Sequence, residues 1–452
     1  MSDNSKRAAV ILAAGKSTRM KSAKSKVLHK VGGMTLLEWV TRQARSVNAE
    51  KIIAVINEQN DDVRREAERL GLELAVQETL DGTASAVLAA KDNLKDFDGQ
   101  VIVLCGDAPL MQQNTLENVF GRLDTVSGAV VLGFEPENPG NYGRLIVHDG
   151  ALEEIVEAKE ANPEQLAVGL CNSGLLAARR DTLFEALAKV DNNNAKGEYY
   201  LTDVVEIVLS MGKSCTTFTA PANEVLGVDS RELLARAEQA FQARMRTEVM
   251  ASGVTLRDPE TTYFSWDTEI EAEADIGANV VFGPGSYVSS GAVIHPFCHI
   301  EGATVGKDAQ IGPFARLRPG AHMGENSKAG NFVEVKKSVI GKGSKINHLS
   351  YIGDAEIGEG VNVGAGTITC NYDGYAKHKT IIGDGAFVGT NSSLVAPLTI
   401  GAGAYLGSGG VITENVPGDA LALGRAKQSN KEGWAKRYRT AQEKRKQKRG
   451  KS

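Results

Sequence analysis

From Ile276 onward an apolar residue returns at every sixth position: Ile276, Phe282, Val288, Ile294 and Ile300, then, after a slip of one, Val305, Ile311 and Leu317. The series resumes at Ile340, Ile346 and Ile352, again at Ile357 and Val363, and finally at Ile382, Val388, Leu394, Ile400, Leu406 and Ile412. Such a repeat is the signature of a parallel β-helix, in which each hexapeptide is one flat face of a coil and stacked aliphatics fill the interior. At three faces per coil the span allows roughly seven or eight coils. The period is interrupted at residues 324–338 and at "TCNYDGYAKHKT", 369–380. Interruptions in a solenoid are expected where loops leave the coil, and loops carry function more often than coil faces do.

The first half reads differently. Residues 7 to about 229 alternate short apolar runs ("AAVILAA", "KIIAVI", "LELAVQ", "QVIVLCGD") with helical stretches ("LLEWVTRQARS", "DDVRREAERLG", "TASAVLAAKDNL"). This is the pattern of an α/β domain with a mainly parallel sheet wrapped by helices. Ligands of such sheets sit beyond the carboxyl ends of the strands. Between the halves, "SRELLARAEQAFQARMRTEVMASG" is rich in helix formers and stops at Gly253, as a helical connector would. The expected organisation is an α/β domain over 1–229, a helical linker over 230–250, and a β-helix domain over 251–452 ending in a basic tail, 434–452.

That tail carries nine Lys and Arg against one Glu, so a formal charge of -5 for the chain leaves about -13 on the rest. An acidic body argues against a nucleic-acid partner, and the tail is expected to be a disordered, solubilising end. Five scattered cysteines without C-x-x-C spacing read as reduced thiols, which places the protein in the cytoplasm. No apolar run is long enough for a membrane span.

"ILAAGKSTRM" contains Gly15-Lys16-Ser17, the letters that close a P-loop, but the glycine needed five residues earlier is Val10. The P-loop reading fails. What remains is a run with Lys16, Arg19, Lys21, Lys24, Lys26, His29 and Lys30 and no acid, directly after a buried strand ending in small residues. "QETLDGTASA" and "CGDAP" follow two further strands. Cationic Arg19 and Lys26 with the NH groups near Gly15 suit a triphosphate. Asp107 and Asp229 suit Mg²⁺, which is usually held by one or two carboxylates plus substrate phosphates.

"LAAGKSTRM" resembles the sugar nucleotidyltransferase signature L-x-x-G-x-G-T-R-M. With "RLRPGA", "NFVEVKK", "NHLSYIGDAEIG" and "NVGAGTITCNYDG" downstream, the chain resembles the bifunctional bacterial N-acetylglucosamine-1-phosphate uridyltransferase / glucosamine-1-phosphate N-acetyltransferase family over nearly its whole length. The resemblance implies a Rossmann-like nucleotidyltransferase domain followed by a left-handed parallel β-helix. The implied cosubstrates are UTP and acetyl-CoA, acting on glucosamine 1-phosphate and N-acetylglucosamine 1-phosphate. It places Leu12, Ala13, Ala14, Gly15, Arg19, Lys26, Gln77, Gly82, Thr83, Cys105 and Gly106 on the uridine nucleotide, Gln77 and Gly82 reading the uracil. It places Asp107 and Asp229 on Mg²⁺, and Gly143, Glu157 and Asn172 on the amino sugar. Ser17 stands where the motif has its second glycine, Cys105 where relatives often have Tyr, and Asp229 where Asn is common.

Acetyl transfer to a sugar amine needs a base and donors for the oxyanion. Among seven histidines, His348 in "SKINHLSY" is the best candidate for that base. His295 and His299 have a metal-like spacing that a β-helix does not align, and no metal is expected there. The resemblance further implies Arg318, Lys336, Tyr351, Asn362, Asn371 and Tyr372 on the amino-sugar phosphate. Ala365, Thr390, Ser408 and Arg425 would line the acetyl-CoA channel, with the Ala365 NH an oxyanion donor. It also implies a homotrimer with sites completed by neighbouring subunits through the "CNYDG" loop. Two other readings stand beside this one: a single-activity nucleotidyltransferase with a structural β-helix, and a non-catalytic regulator.

Overall fold

The computed structural model describes residues 5–194 and 197–449; the last three residues of the predicted tail lie outside the described residues. The chain divides into two compact units, one of residues 1–249 with 264–266 and one of 250–263 with 267–452.

The first unit is built on a nine-stranded sheet whose main path runs Thr216–Ala220, Ala129–Phe134, Cys171–Arg179, Gln100–Cys105, Arg7–Leu12, Lys51–Asn57, Glu73–Gln77. Cys171–Arg179 lies antiparallel to both neighbours, and the other pairs along this path are parallel. Residues alternate between faces, as strand geometry requires. Ala9 and Ile11 enter one helix-covered core and Ala8 and Val10 the other, all fully buried. From Arg7–Leu12 the chain winds outward through Lys51–Asn57 and Glu73–Gln77, then returns to pair Gln100–Cys105 on the opposite edge of the same strand. The order reverses there, so a crevice opens beyond Leu12 and Cys105, which are register partners.

The predicted connector is a helix, Arg231–Ala251, that buries Ala237, Phe241 and Gln242 in the first unit. Phe241 packs edge-on against Trp39 at 5.6 Å, and the Gln242 amide donates to the Phe264 carbonyl and accepts from its NH at 2.7 and 2.8 Å.

The second unit is the expected left-handed parallel β-helix. Short strands stack into three parallel sheets of 10, 8 and 8, and the Tyr263–Val281 and Ile400–Val416 bridges extend the two shorter sheets at opposite ends. The solenoid therefore runs from Thr255 to Ala422 and has more turns than the seven or eight estimated from the repeat. The first interruption is not a loop. Met323, Ala329 and Val335 keep the six-residue step and are buried, but a small residue at Ala329 hides the pattern. The second is real: Thr369 takes the interior position, after which residues 371–379 leave the coil and Ile382 rejoins it.

The tail also departs from expectation. Trp434–Arg449 is helical, with side chains that are almost all exposed through Gln447, because Ala, Lys, Arg, Gln and Glu are strong helix formers even where no apolar face is buried.

Candidate active site

The crevice in the first unit holds a cavity of about 530 Å³ lined by residues from many segments, among them Leu12, Ala14, Gly15, Lys26, Gln77, Gly82, Thr83, Cys105, Asp107 and Glu157. Several arrive from strand ends, while Lys26 opens the short helical turn Lys26–Leu28 and Thr83 the helix Thr83–Leu88. Leu12 closes Arg7–Leu12, Gln77 closes Glu73–Gln77 and Cys105 closes Gln100–Cys105. A Cβ at Gly15 would meet only Lys26 Cε, at 3.8 Å, so the chain itself does not require glycine there. The missing side chain matters for what approaches from the cavity.

Ser17 has φ +54, the left-handed conformation that glycine adopts without penalty. Its hydroxyl donates to the Gly15 carbonyl at 3.3 Å and accepts from the Lys26 NH at 2.9 Å. The departure from glycine thus ties the loop after the first strand to the lysine that follows.

Lys26 reaches the Asp107 carboxylate in a short ion pair, with both side chains mostly buried. Burial alone would pull the ammonium down, but the charge and hydrogen bond of Asp107, helped by Asp229, hold it above its ordinary value. Arg19 pairs with Asp229 at 2.7 Å and is itself 74% exposed. The Val228 NH donates to the Asp107 carbonyl at 2.8 Å, which brings Asp229 beside Asp107. Two carboxylates and two cations therefore share this end of the crevice. Among the described residues no cluster of three or more acidic, His or Cys side chains could hold a metal. The donor set nevertheless fits Mg²⁺, which completes its shell with water and phosphate oxygens.

Gln77 donates from its side-chain amide to the Gly82 carbonyl at 3.0 Å and to the Ser85 hydroxyl at 2.9 Å. Gly82 has φ +144, and a Cβ there would fall 2.2 Å from the Tyr199 carbonyl oxygen. Thr83 accepts from the Leu201 NH at 3.0 Å. This pairing brings Glu198 and Tyr200 into the cavity lining. Neither was predicted, since nothing in "GEYYLTD" signals a contact across more than a hundred residues. Lys16 and Leu80 also line the cavity unpredicted.

Burial pushes the Cys105 thiol up to about 12, with the Asp107 charge adding to the effect and Lys26 opposing it. Asn172 lines a smaller adjoining cavity with Glu157 and Cys105, and its NH donates to the Gly143 carbonyl at 2.8 Å. Ala13 and Gly106 support the floor: the Ala13 NH donates to Val55, and the Gly106 NH to the Leu12 carbonyl at 3.0 Å.

In the second unit the predicted residues are laid out along the stack. Arg318, Glu334 and Tyr351 follow one face, with Arg318 bonded to the Glu334 carboxylate at 2.8 Å, which holds the guanidinium above its ordinary value. Lys336 sits beside Gly353 in the next register position. His348 ends the strand Lys345–His348, is exposed, and its Nδ1 lies 2.5 Å from Asn331 Oδ1. The cavity it lines, of about 400 Å³, holds His295, Lys328, Asn331, Asn347, Phe314 and Phe332 but none of the other predicted residues. The Gly366 NH donates to the His348 carbonyl at 3.1 Å, which sets Ala365 close by. Ala365, Thr390 and Ser408 each follow the glycine just beyond a strand of one face: Asn362–Val363, Phe387–Val388 and Tyr405–Leu406. They therefore form a column on successive turns. Arg425 extends it by donating to the Ser408 carbonyl at 2.7 Å. Asn371 is buried against Asp354, while Tyr372 and Tyr375 on the projecting loop are exposed. Asp373 organises that loop, accepting from the NH groups of Tyr375 and Ala376 at 2.8 and 2.7 Å and pairing with His378 at 2.7 Å.

The model of the MobA-like NTP transferase domain matches residues 9–191. The chain is 48% identical over 441 residues to the bifunctional protein GlmU of Zymomonas mobilis, covering 96% of this chain and 98% of that one. Against the bifunctional protein GlmU of Hyphomonas neptunium the identity is 51%, over 97% of this chain and 96% of that one. Against that of Azorhizobium caulinodans it is 49%, over 96% and 97%. At this identity, and over nearly the full length of both partners in each comparison, the chain belongs to the GlmU family of bifunctional enzymes.

Proposed function

We propose that the two activities of this enzyme are housed separately, uridylyl transfer in the first unit and acetyl transfer in the second. Acetyl-CoA and glucosamine 1-phosphate give N-acetylglucosamine 1-phosphate, whose phosphate oxygen then attacks the α-phosphorus of UTP to give UDP-N-acetylglucosamine and pyrophosphate. The observation that carries the first half is the meeting of Lys26, Asp107, Gly15, Gln77 and Gly82 in one cavity at the reversal of strand order.

There Gln77 and Gly82 read the uracil edge, and the backbone around Gly15 with Lys26 and Arg19 holds the phosphates. Glu157, Asn172 and Gly143 orient the sugar. Mg²⁺ held by Asp107 and Asp229 would neutralise charge building on the phosphates. Binding of nucleotide and metal would release Lys26 and Arg19 from the carboxylates they now pair with, freeing both cations for phosphate oxygens. No side-chain nucleophile is needed, since such transfers rest on positioning and electrostatics.

In the second unit His348 takes the proton from the sugar amine as it attacks the thioester carbonyl, and the Ala365 NH donates to the oxyanion. Asn331 Oδ1 at the His348 Nδ1 fixes the ring, leaving Nε2 as the basic nitrogen. Arg318 and Lys336 hold the sugar phosphate, Tyr351, Asn362, Asn371 and Tyr372 the sugar, and Thr390, Ser408 and Arg425 the coenzyme. The working form is a homotrimer. Support comes from the stacked, half-exposed rings of Phe297, Phe314 and Phe332 and from a projecting loop whose Tyr375 is 97% exposed. The cytoplasm as the site of action is supported by five unpaired cysteines.

The test is one preparation assayed twice: free thiol released from acetyl-CoA with glucosamine 1-phosphate, then pyrophosphate released on adding UTP and Mg²⁺. Both products are expected. Pyrophosphate without thiol would favour a nucleotidyltransferase with a structural β-helix.

A further inference from the structure

Arg144 opens the strand Arg144–His148, and its backbone is set by Val156 on one side and Cys171 on the other. The residue is only 3% exposed. Among the described residues its guanidinium meets no carboxylate: Nη1 donates to the Tyr142 carbonyl, Nη2 to the Gly140 carbonyl at 3.2 Å, and Nε is buried without a partner. Burying a cation without a counter-charge is costly. Filling the same space with an apolar side chain is often neutral or stabilising, so packing alone does not account for an arginine here. What the guanidinium grips is the connection between Ala129–Phe134 and Arg144–His148. Residues 140–142 are exposed, and Gly143 behind them is buried. The loop's own bonds are local: the Tyr142 NH donates to the Pro139 carbonyl and the Gly140 NH to the Asn138 side chain, both at 3.1 Å. The Tyr142 ring also rests edge-on against Phe134 at 4.9 Å. Only a planar fork reaches two carbonyls at once in a fixed geometry, which a lysine ammonium does not reproduce.

We infer that Arg144 is a positioning residue for the sugar phosphate in uridylyl transfer: by gripping the carbonyls of Gly140 and Tyr142 it shapes the loop that delivers Gly143 to the sugar beside Asn172. The inference rests on the uridylyl-transfer reading above. Gly143 is the joint between loop and site, since its carbonyl accepts from the Asn172 NH at 2.8 Å and Arg144 is the next residue. The groups assigned to the nucleotide, Gly15, Lys26, Gln77 and Gly82, come from other segments. Loss of the fork therefore falls on one substrate and spares the other.

The experiment measures kcat and both KM values for pyrophosphate release from UTP and N-acetylglucosamine 1-phosphate, with UTP binding in the presence of Mg²⁺ measured separately, in the full chain and in its Arg144→Lys and Arg144→Met variants. Each variant is expected to raise KM for the sugar phosphate about 10- to 100-fold, the loss of one or two hydrogen bonds from a charged group, and to keep its affinity for UTP within about twofold of the parent. Arg144→Lys keeps the charge and gives up the fork, and as the milder change it decides the matter if Arg144→Met fails to fold. A lysine variant with the parent's KM for the sugar phosphate overturns the inference, because charge alone would then suffice. Equal weakening of both substrates, or loss of UTP binding in both variants, also overturns it, by making Arg144 a support of the whole unit. Absence of pyrophosphate from the parent overturns the uridylyl-transfer reading itself, and this inference with it.

Discussion

Residues as distant in the chain as Leu12 and Tyr200 line one cavity of the first unit, whereas those of the second keep their chain order along a stack, from Arg318 to Arg425. A wound parallel sheet brings the carboxyl ends of its strands to a common edge, and the reversal of strand order leaves a gap there. A solenoid brings together only residues one turn apart, so it builds columns and ladders and leaves them facing outward. The first unit can thus assemble a pocket from its own segments. The second sets His348 among residues of neighbouring turns around a cavity on the outside of the coil.

The comparison breaks most sharply with Asp107→Ala. Pyrophosphate release should fall to background, a loss of about 10³-fold, while thiol release from acetyl-CoA stays at the parent rate. Loss of both activities in a folded protein would contradict separate sites. The reciprocal change, His348→Ala, should lower thiol release by about 10²- to 10⁴-fold and leave pyrophosphate formation alone.

A smaller effect sharpens the picture of the first unit. Ser17→Ala removes the hydroxyl that joins the Gly15 carbonyl to the Lys26 NH. A hydrogen-bonded link of this kind is worth about 1 kcal/mol, so KM for UTP should rise about fivefold with kcat nearly unchanged. An unchanged KM would mean the loop is held by other contacts.

Least of all is an effect of pH confined to the first unit. Asp203 opens the helix Asp203–Ser210, and burial, then the charges of Asp191 and Glu206, push its carboxyl up to about 6. Its folded value lies above the unfolded one, so the favourable contribution is full below pH 4 and is lost as pH rises through 6. Asp203→Asn should raise the first unit's thermal midpoint at pH 8 by the equivalent of less than about 1 kcal/mol, since solvent reaches the group, and change nothing at pH 4. A gain of equal size at pH 4 would point to packing in place of charge.

Much of this molecule is legible in its sequence. The six-residue aliphatic step is dictated by which side chains fill the coil, and strand-end motifs such as "AAG" and "CGDAP" lie where a parallel sheet exposes its chemistry. The run through residues 324–338 looks like a break in the sequence because Ala329 fills an interior position with one methyl group. The charge of the tail suggests disorder, but its residues favour a helix. Glu198 and Tyr200 were missed because only the pairing of Gly82 with Tyr199 brings them to the cavity.

By itself, then, the sequence determined the periods, and with them two architectures and the kinds of groups available to each. Periodicity is a local property, set by which side chains can be buried together along one element. Only the tertiary structure decided that Lys26 and Arg19 rest on Asp107 and Asp229, that Ser17 clasps the loop, and that Cys105 and Gly174 line a second cavity beside the first. Those facts depend on distances between side chains far apart in the chain, and such distances exist only once the strands have been laid side by side.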